Sequence, residues 1–452
     1  MDAELKLYYK KMVTLGIPIV LQNLISIGLN LLDTLMIGML GEAQLAAVGA
    51  ANQLFFIYSV SLFGLLSGCA VYTSQYYGAD DLVGLRKVVG ICYGASLLTG
   101  VLVTLAAWFF APFFVGVFCG DMGNTEVIAY GASYMRISCF SYVFGGISFA
   151  IIYNSRAVQR VRATTTISAL AIGCNGLLNY LLIFGIGIFP AMGVQGAATA
   201  TLIARILECG LMLGSIYLVR SHPLRAGIRQ LFTFSRDLFS RVMRTALPVI
   251  ATEGCWALTT AMIFAAYGRI GTSALAVIQV AQVILQLIQT FYFGVGNATA
   301  MTIGQSLGMR NVDRAYRFGR QALILTMLIN VIGTGVAYVI SRPVAAIYGF
   351  GGETNELLIA TIITLGFLLT PRMLSYMFCV GILRAGGDTF YCMILEIGCN
   401  IFVDLPMAYL AVLGFHASLP LALVMVELGN VIRILVCFPR FWSRKWLHVV
   451  ID

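Results

Sequence analysis

Asp33 is the residue whose type and place most demand a chemical role. It stands in LQNLISIGLNLLDTLMIG (21–38), a run apolar enough to cross a bilayer that also holds Gln22, Asn23 and Asn30. A charge inside a membrane helix costs about 2.5–3.5 kcal/mol on insertion scales, so such residues are rare and usually functional. At the helical period, Gln22, Ser26, Asn30 and Asp33 fall within roughly 80° of one another on one face. The carboxylate, near mid-helix, then points into protein rather than lipid. There it can take up a proton, or hold a small hard cation with the help of nearby oxygens. Asn175 and Asn179, one turn apart in CNGLLNYLLIFG, and Thr201 in GAATAT supply such groups. Asparagine and threonine also hydrogen-bond across membrane helices as packing contacts, and that second reading stays open for Asn175 and Thr201.

The second half of the chain carries its own set. Glu253 shares a helix face with Trp256 and Thr260, while Glu396, Asn400 and Asp404 form a stripe at a spacing of four. Glu253 lies early in its helix, where water reaches it. Glu208 is one turn from Arg205, a spacing that fits a structural ion pair. Glu427, Arg136, Arg372 and Arg433 also fall in apolar segments, and the arginines are expected to meet acids or backbone near helix ends.

Lipid is the solvent that must hold these groups in place. Hydrophobic residues make up 60% of the 452, charged residues 10%, and mean hydropathy is +0.91; a soluble domain is about 25% charged. Twelve apolar runs long enough to span the hydrocarbon lie near 14–39, 49–76, 88–114, 127–155, 163–188, 191–219, 243–268, 274–304, 318–344, 355–384, 389–413 and 418–439. The opening MDAELKLYYKK reads as a charged amphipathic lead-in rather than a signal peptide. Pro18 and Gly28 are weak backbone points of the first span.

The net charge of +9 follows from topology. Alternate loops, counted from the N-terminus, hold twenty-two basic residues; the intervening loops hold only Arg269 and Arg342. The positive-inside rule places both termini in the cytoplasm of a multi-pass protein of the cell membrane. No nucleic-acid partner is expected from this distribution. The eleven cysteines show neither metal nor disulfide spacing and read as small packing residues.

The halves repeat. A shift of 230 residues sets Pro18 on Pro248, Gly38 on Gly268, Gly41 on Gly271, Gln75 on Gln305 and Gly78 on Gly308. A shift of 225 sets GCNGLLN (173–179) on GCNIFVD (398–404), so Asn175 matches Asn400 and Asn179 matches Asp404. Asp33 falls on Ile263, and Asn23 on Glu253. A repeat of six helices is parallel, a plan frequent in secondary transporters. The expected fold is all-α and integral to the membrane: an N-terminal six-helix lobe (1–219), a basic cytoplasmic linker (220–244) and a C-terminal six-helix lobe (245–452).

The pattern PxxxQNxxxxxxNxxDTxxIGxLGxxxLAAVG, the QYYG run at 75–78, and NYLLIFG followed by FPAMGVQGAATAT resemble the multidrug and toxic compound extrusion (MATE) family over residues 10–440. The resemblance implies a V-shaped, twelve-helix antiporter that exports organic cations and amphiphilic drugs in exchange for protons or sodium ions by alternating access. It implies Asp33 as the ion-coupling carboxylate, with Asn175, Asn179 and Thr201 completing a possible sodium site, and Glu253 as an acid of the other lobe. Gln22, Asn30, Asn400 and Asp404 join the candidate ion- and substrate-binding set. The acid that relatives carry in the tenth helix has no clear counterpart in LLTPRMLSYMF.

No cofactor beyond the coupling ion is expected, nor an enzymatic activity. HExxH, DDxxD and GxxxxGK[ST] are all absent. Partners are the bilayer and small organic cations, and the expected state is a monomer. Aromatic runs at 142–144 and 291–293 offer a cation–π wall. The alternative within the same superfamily is a flippase for lipids or lipid-linked oligosaccharides, which needs a strongly cationic cavity for pyrophosphate.

Overall fold

In hydrocarbon every backbone N–H and C=O must be paired within the chain, so apolar runs of this length have one solution, the helix. The computed structural model describes residues 3–119, 125–187 and 189–451, and no strand occurs among them. Eleven helices are long and apolar enough to span: α1 (Glu4–Gly38), α2 (Glu42–Gly78), α3 (Leu82–Cys119), α5 (Val161–Phe184), α6 (Gly193–Leu218), α7 (Arg236–Gly268), α8 (Ser273–Gly308), α9 (Val312–Tyr348), α10 (Gly352–Leu383), α11 (Thr389–Gly414) and α12 (Leu419–Trp442). A twelfth span, α4, is a pair, Thr125–Ser138 and Phe140–Ala157, bent by 49°. Each expected span finds its helix; Ile188, the end of the expected fifth, lies outside the described residues.

Two compact units form. The N-terminal unit is 21–73 with 81–243. The C-terminal unit takes the chain from Arg244 onward together with the first twenty residues and Ser74–Asp80. The expected boundary at 219 therefore differs from the packing: the start of α1 and the end of α2 belong with the second half. The basic 220–243 segment packs in the N-terminal unit, where the short helix Ile228–Phe232 presses its Leu231 carbonyl against Gly90 of α3.

Along much of α3 small residues pack inward and large apolar ones face out, although Leu85, Val88, Val89 and Ile91 near its start are buried too. On α3 the buried face holds Gly84, Gly90, Ser96, Gly100, Thr104, Ala107 and Ala111, while Leu98, Leu102, Leu105 and Phe109 are exposed. Lipid tails are as apolar as leucine, so burial gives large side chains little, and close packing of small ones holds the helices together.

Breaks in the helices are where polar groups enter. A wide π-helical turn at Met12–Gly16 precedes Pro18, whose ring clashes with a regular turn before it. The helix α1 starts as early as Glu4, so Asp33 lies near its C-terminal end rather than mid-helix. Further π-helical turns occupy Met377–Leu383, Asn400–Asp404 and Leu410–Gly414, and α12 is interrupted at Glu427.

The repeat extends to backbone detail. Gly41 and Gly271 take φ of 137° and 150°, and Asp80 and Arg310 take 58° and 56°. Asp81 then caps α3 through Gly84 N at 2.9 Å, as Asn311 caps α9 through Arg314 N at 3.0 Å. In the C-terminal unit the ends of α2 and α8 cross at contact distance. A Cβ on Gly78 would stand 2.1 Å from the Gln305 carbonyl oxygen, and one on Gly308 1.9 Å from that of Gln75. The Gln75 amide binds the C-terminal tail, donating to His448 O at 3.0 Å and accepting from Val450 N at 2.9 Å. Its repeat mate Gln305 instead accepts from Lys11 Nζ at 3.1 Å.

Gly308→Ala is accordingly expected to force two backbones apart, at an overpacking cost of about 1–3 kcal/mol or more. Thermal unfolding in detergent checks this against Gly335→Ala, where a Cβ meets nothing within 4 Å. Equal melting of the two variants would refute the crossing.

Candidate ion-coupling site

In the N-terminal unit Asp33 is half-buried, and α5 turns two amides toward it. Asn179 Nδ2 donates to Asp33 Oδ1 at 2.5 Å. With its amide oriented to satisfy both neighbours, Asn175 donates to Asp33 Oδ2 at 3.2 Å and accepts from Thr201 N of α6 at 3.2 Å. The four residues of the expected cation set are thus one cluster. The Tyr134 hydroxyl completes it from α4, 3.4 Å from Asn52 Oδ1 of α2 and within reach of Thr201. Neither Tyr134 nor Asn52 was singled out from the sequence. A tyrosine or asparagine in an apolar helix looks the same whether it packs or lines a site.

Two features of this cluster bear on chemistry. The Asn179 Oδ1 acceptor is buried and has no hydrogen-bond partner among the described residues. Among the described residues, the donors that reach the Asp33 carboxylate are both neutral amides. Arg205 is near enough to feel the carboxylate's charge, but its guanidinium is engaged by Glu208 at 2.7 Å. An acid held by neutral donors, beside a spare acceptor, retains capacity for a cation.

Gln22 and Asn30 lie elsewhere. Gln22 is buried in a second network: it accepts from Arg156 Nη2 at 3.0 Å and donates to Ser168 Oγ at 3.1 Å, and Ser168 donates to Glu208 Oε1 at 2.8 Å. Asn30 is exposed and makes none of the contacts of Asp33. Gln22 and Asp33 do share a helix face, but eleven residues separate them by about 16 Å along the axis.

The acids of the C-terminal unit are arranged differently, because each has a guanidinium. Arg384, almost fully buried, binds Glu253 Oε1 at 2.9 Å and Glu396 Oε2 at 3.4 Å. Glu253 is therefore ion-paired rather than bathed in water. Asn400 and Asp404 converge on Arg433, whose Nη2 donates to Asn400 Oδ1 at 2.7 Å and Asp404 Oδ2 at 2.6 Å. Arg433 Nη1 donates to Asn430 Oδ1 at 3.0 Å, Asn430 Nδ2 to Glu427 Oε2 at 2.7 Å, and Glu427 pairs with Arg372. Arg372 and Arg433 meet carboxylates, as expected of arginines in apolar segments, and Arg205 pairs with Glu208 as its spacing led one to expect, whereas Arg136 is exposed.

Comparison with known proteins decides the family. The MatE family model matches the chain twice, at residues 18–181 and 248–410, once in each half of the repeat. The chain belongs to the MATE family. It is a multi-pass membrane transporter and not an enzyme. The uncharacterized transporter YisQ of Bacillus subtilis is 24% identical over 92% of this chain and 90% of its own. The probable multidrug resistance protein NorM of Thermotoga maritima is 24% identical over 97% and 93%. A crystal structure of MATE in the bent conformation superposes with a TM-score of 0.87 at 21% identity, covering 98% of this chain and 99% of that one. The all-α, two-lobe MATE fold is thereby the fold of this chain.

Within that MATE fold the two halves build related networks with different charge, the partner on the first helix of each half being shifted by one residue. Arg156 reaches Gln22 on α1, and its repeat mate Arg384 reaches Glu253 on α7. Ser168 and Glu396 are the next contacts of each network. The amide pair of α5 meets a carboxylate, whereas the amide–carboxylate pair of α11 meets an arginine.

Proposed function

We propose that this MATE transporter is a secondary antiporter that exports organic cations and amphiphilic drugs in exchange for protons or sodium ions, with Asp33 as the coupling group. The observation that carries the reading is the Asp33 centre itself: a carboxylate among Asn175, Asn179 and Thr201, where among the described residues the Asn179 oxygen has no hydrogen-bond partner and no guanidinium is bonded to the acid. Hard oxygens of this kind suit a sodium ion, and the same carboxylate suits a proton. Among the described residues no three His, Cys, Asp or Glu side chains group as a metal site, so a sodium ion would rely on amide and hydroxyl oxygens.

The coupling then follows from solvation. Water reaches the carboxylate when its face is open, and an exchangeable cation can leave or enter. Closure removes that water, and an uncompensated charge becomes costly. Asp33 must then carry its cation. Asn175 and Asn179 hold the carboxylate in place for that exchange, and Thr201 holds Asn175. The Glu253–Arg384–Glu396 group sets two acids on one arginine, so it offers no spare positive charge, which suits a cationic cargo better than an anionic one. A flippase for lipid pyrophosphates would need guanidiniums free for its substrate, yet Arg205, Arg372, Arg384 and Arg433 are each held by a carboxylate.

The test is ethidium transport in proteoliposomes of the purified protein, with proton and sodium gradients imposed separately and lipid scrambling assayed in parallel. Transport driven by one gradient supports antiport; scrambling without ethidium transport, or indifference to both gradients, overturns it. We also propose that the termini and the 220–244 segment are cytoplasmic, in a monomer. A cysteine at exposed position 229 is expected to react with an impermeant maleimide only after cells are opened. Labelling of intact cells there would invert the topology.

A further inference from the structure

The second polar centre, at Asp404, holds a charge of its own where the first leaves a place. A single Arg433 nitrogen bridges Asn400 and Asp404 at 2.7 and 2.6 Å, and both Arg433 and Asp404 are 6% exposed. Arg433 is fixed from behind by Asn430, Asn430 by Glu427, and Glu427 by Arg372. The π-helical turn Asn400–Asp404 turns both α11 oxygens to this one nitrogen. The carboxylate is also pressed onto α12. A Cβ on Gly429 would overlap Asp404 Oδ1 at 1.6 Å, and among the described residues that oxygen has no hydrogen-bond partner. Asn400 and Asp404 are the repeat mates of Asn175 and Asn179. The matching position on α5 and α11 thus faces an acid in one unit and a base in the other.

We propose that Arg433 is a tethered cation, occupying at Asp404 the place that a transported proton or sodium ion takes at Asp33. The inference rests on the antiport reading of Asp33 and extends it. The C-terminal centre keeps its positive charge through the cycle, so Asp404 exchanges nothing and Arg433 sets the number of cations that the transporter binds. The other titratable and charged groups around Asp404 are Glu427 on α12, Arg372 on α10, Tyr267 on α7 and Cys399 on α11. Of these, Glu427 and Arg372 neutralise each other. Without Arg433, Asp404 is left with a spare oxygen, the Asn400 carbonyl and no resident charge, which is a cation site.

The experiment counts cations bound by the full-length protein in detergent, as radioactive sodium retained and as protons taken up on acidification. For Arg433→Gln the count is expected to rise by one cation over wild type, as one further sodium retained or one further proton taken up. For Arg433→Gln combined with Asp404→Asn it is expected to return to the wild-type count. A folded Arg433→Gln that binds no more than wild type overturns the proposal. If Arg433→Gln assembles poorly, its yield is expected to recover with added sodium or at lower pH, where the missing cation is supplied. Yield indifferent to both would equally overturn it. Asp33→Asn separates the two readings. An Asp33→Asn protein that binds cations as wild type does refutes coupling at Asp33, while the increment from Arg433→Gln, measured on that background, still tests Arg433.

Discussion

Asp33→Asn is expected to reduce gradient-driven transport to the level of empty vesicles while the protein stays folded and inserted. Amide and carboxylate have the same size, so the packing of α1 against α5 survives. Asn175 can turn its amide and donate or accept as required, leaving a net change on the order of 1 kcal/mol, that of one hydrogen bond. For a chain of this size that is a shift of a few degrees in melting temperature at most. The chemistry does not survive. An amide neither takes a proton in this pH range nor attracts a sodium ion with a full charge, and Asn175 and Asn179 give no negative charge in its place. Closure then no longer demands a cation, so the conformational cycle is uncoupled from the gradient. Binding of ethidium measured without a gradient is the control that shows the site is still accessible. Full gradient-driven transport by this variant would remove Asp33 from the mechanism.

Much of this architecture was legible because lipid simplifies the code. Spans follow from unbroken apolarity, and the repeat from ordered Pro, Gly and Gln matches that the backbone angles at Gly41 and Gly271 continue. The Asp33, Asn175, Asn179 and Thr201 cluster was legible for a related reason: polar groups in lipid must find each other, and few were available. What periodicity left out was height. It set Gln22 on the face of Asp33 and gave no warning that Gln22 is three turns away, bonded to Arg156 and Ser168. Ion pairs across distant helices were equally out of reach. Arg384 and Glu253 are 131 residues apart, and only packing decides that this arginine meets that acid. The grouping of residues 3–20 with the C-terminal unit leaves no mark in composition, because α1 runs through position 20 without a break in its apolar pattern.

The arginines also set the expected asymmetry between the halves. Glu253→Gln and Asp404→Asn are each expected to lower transport or shift cargo preference, yet leave it dependent on the gradient. Glu253→Gln leaves Arg384 paired with Glu396, so no buried charge is stranded and folding is little affected. What disappears is the shorter of the two acid contacts to Arg384, and the expected effect falls on the affinity for cationic cargo. Asp404→Asn is the harsher change for stability. It leaves Arg433, 6% exposed, among amides alone, and breaking a buried ion pair from one side costs about 3–5 kcal/mol in soluble proteins. Its yield and melting temperature should fall well below those of Glu253→Gln, while the surviving fraction still responds to the gradient through Asp33. The three variants belong in one vesicle assay, with activity normalised to folded protein. An inactive Glu253→Gln beside an active Asp33→Asn would reverse the assignment and move coupling to Arg384 and its two acids. In the expected order only Asp33→Asn is uncoupled, because among the described residues no arginine is hydrogen-bonded to Asp33, whereas Glu253, Glu396 and Asp404 each have one.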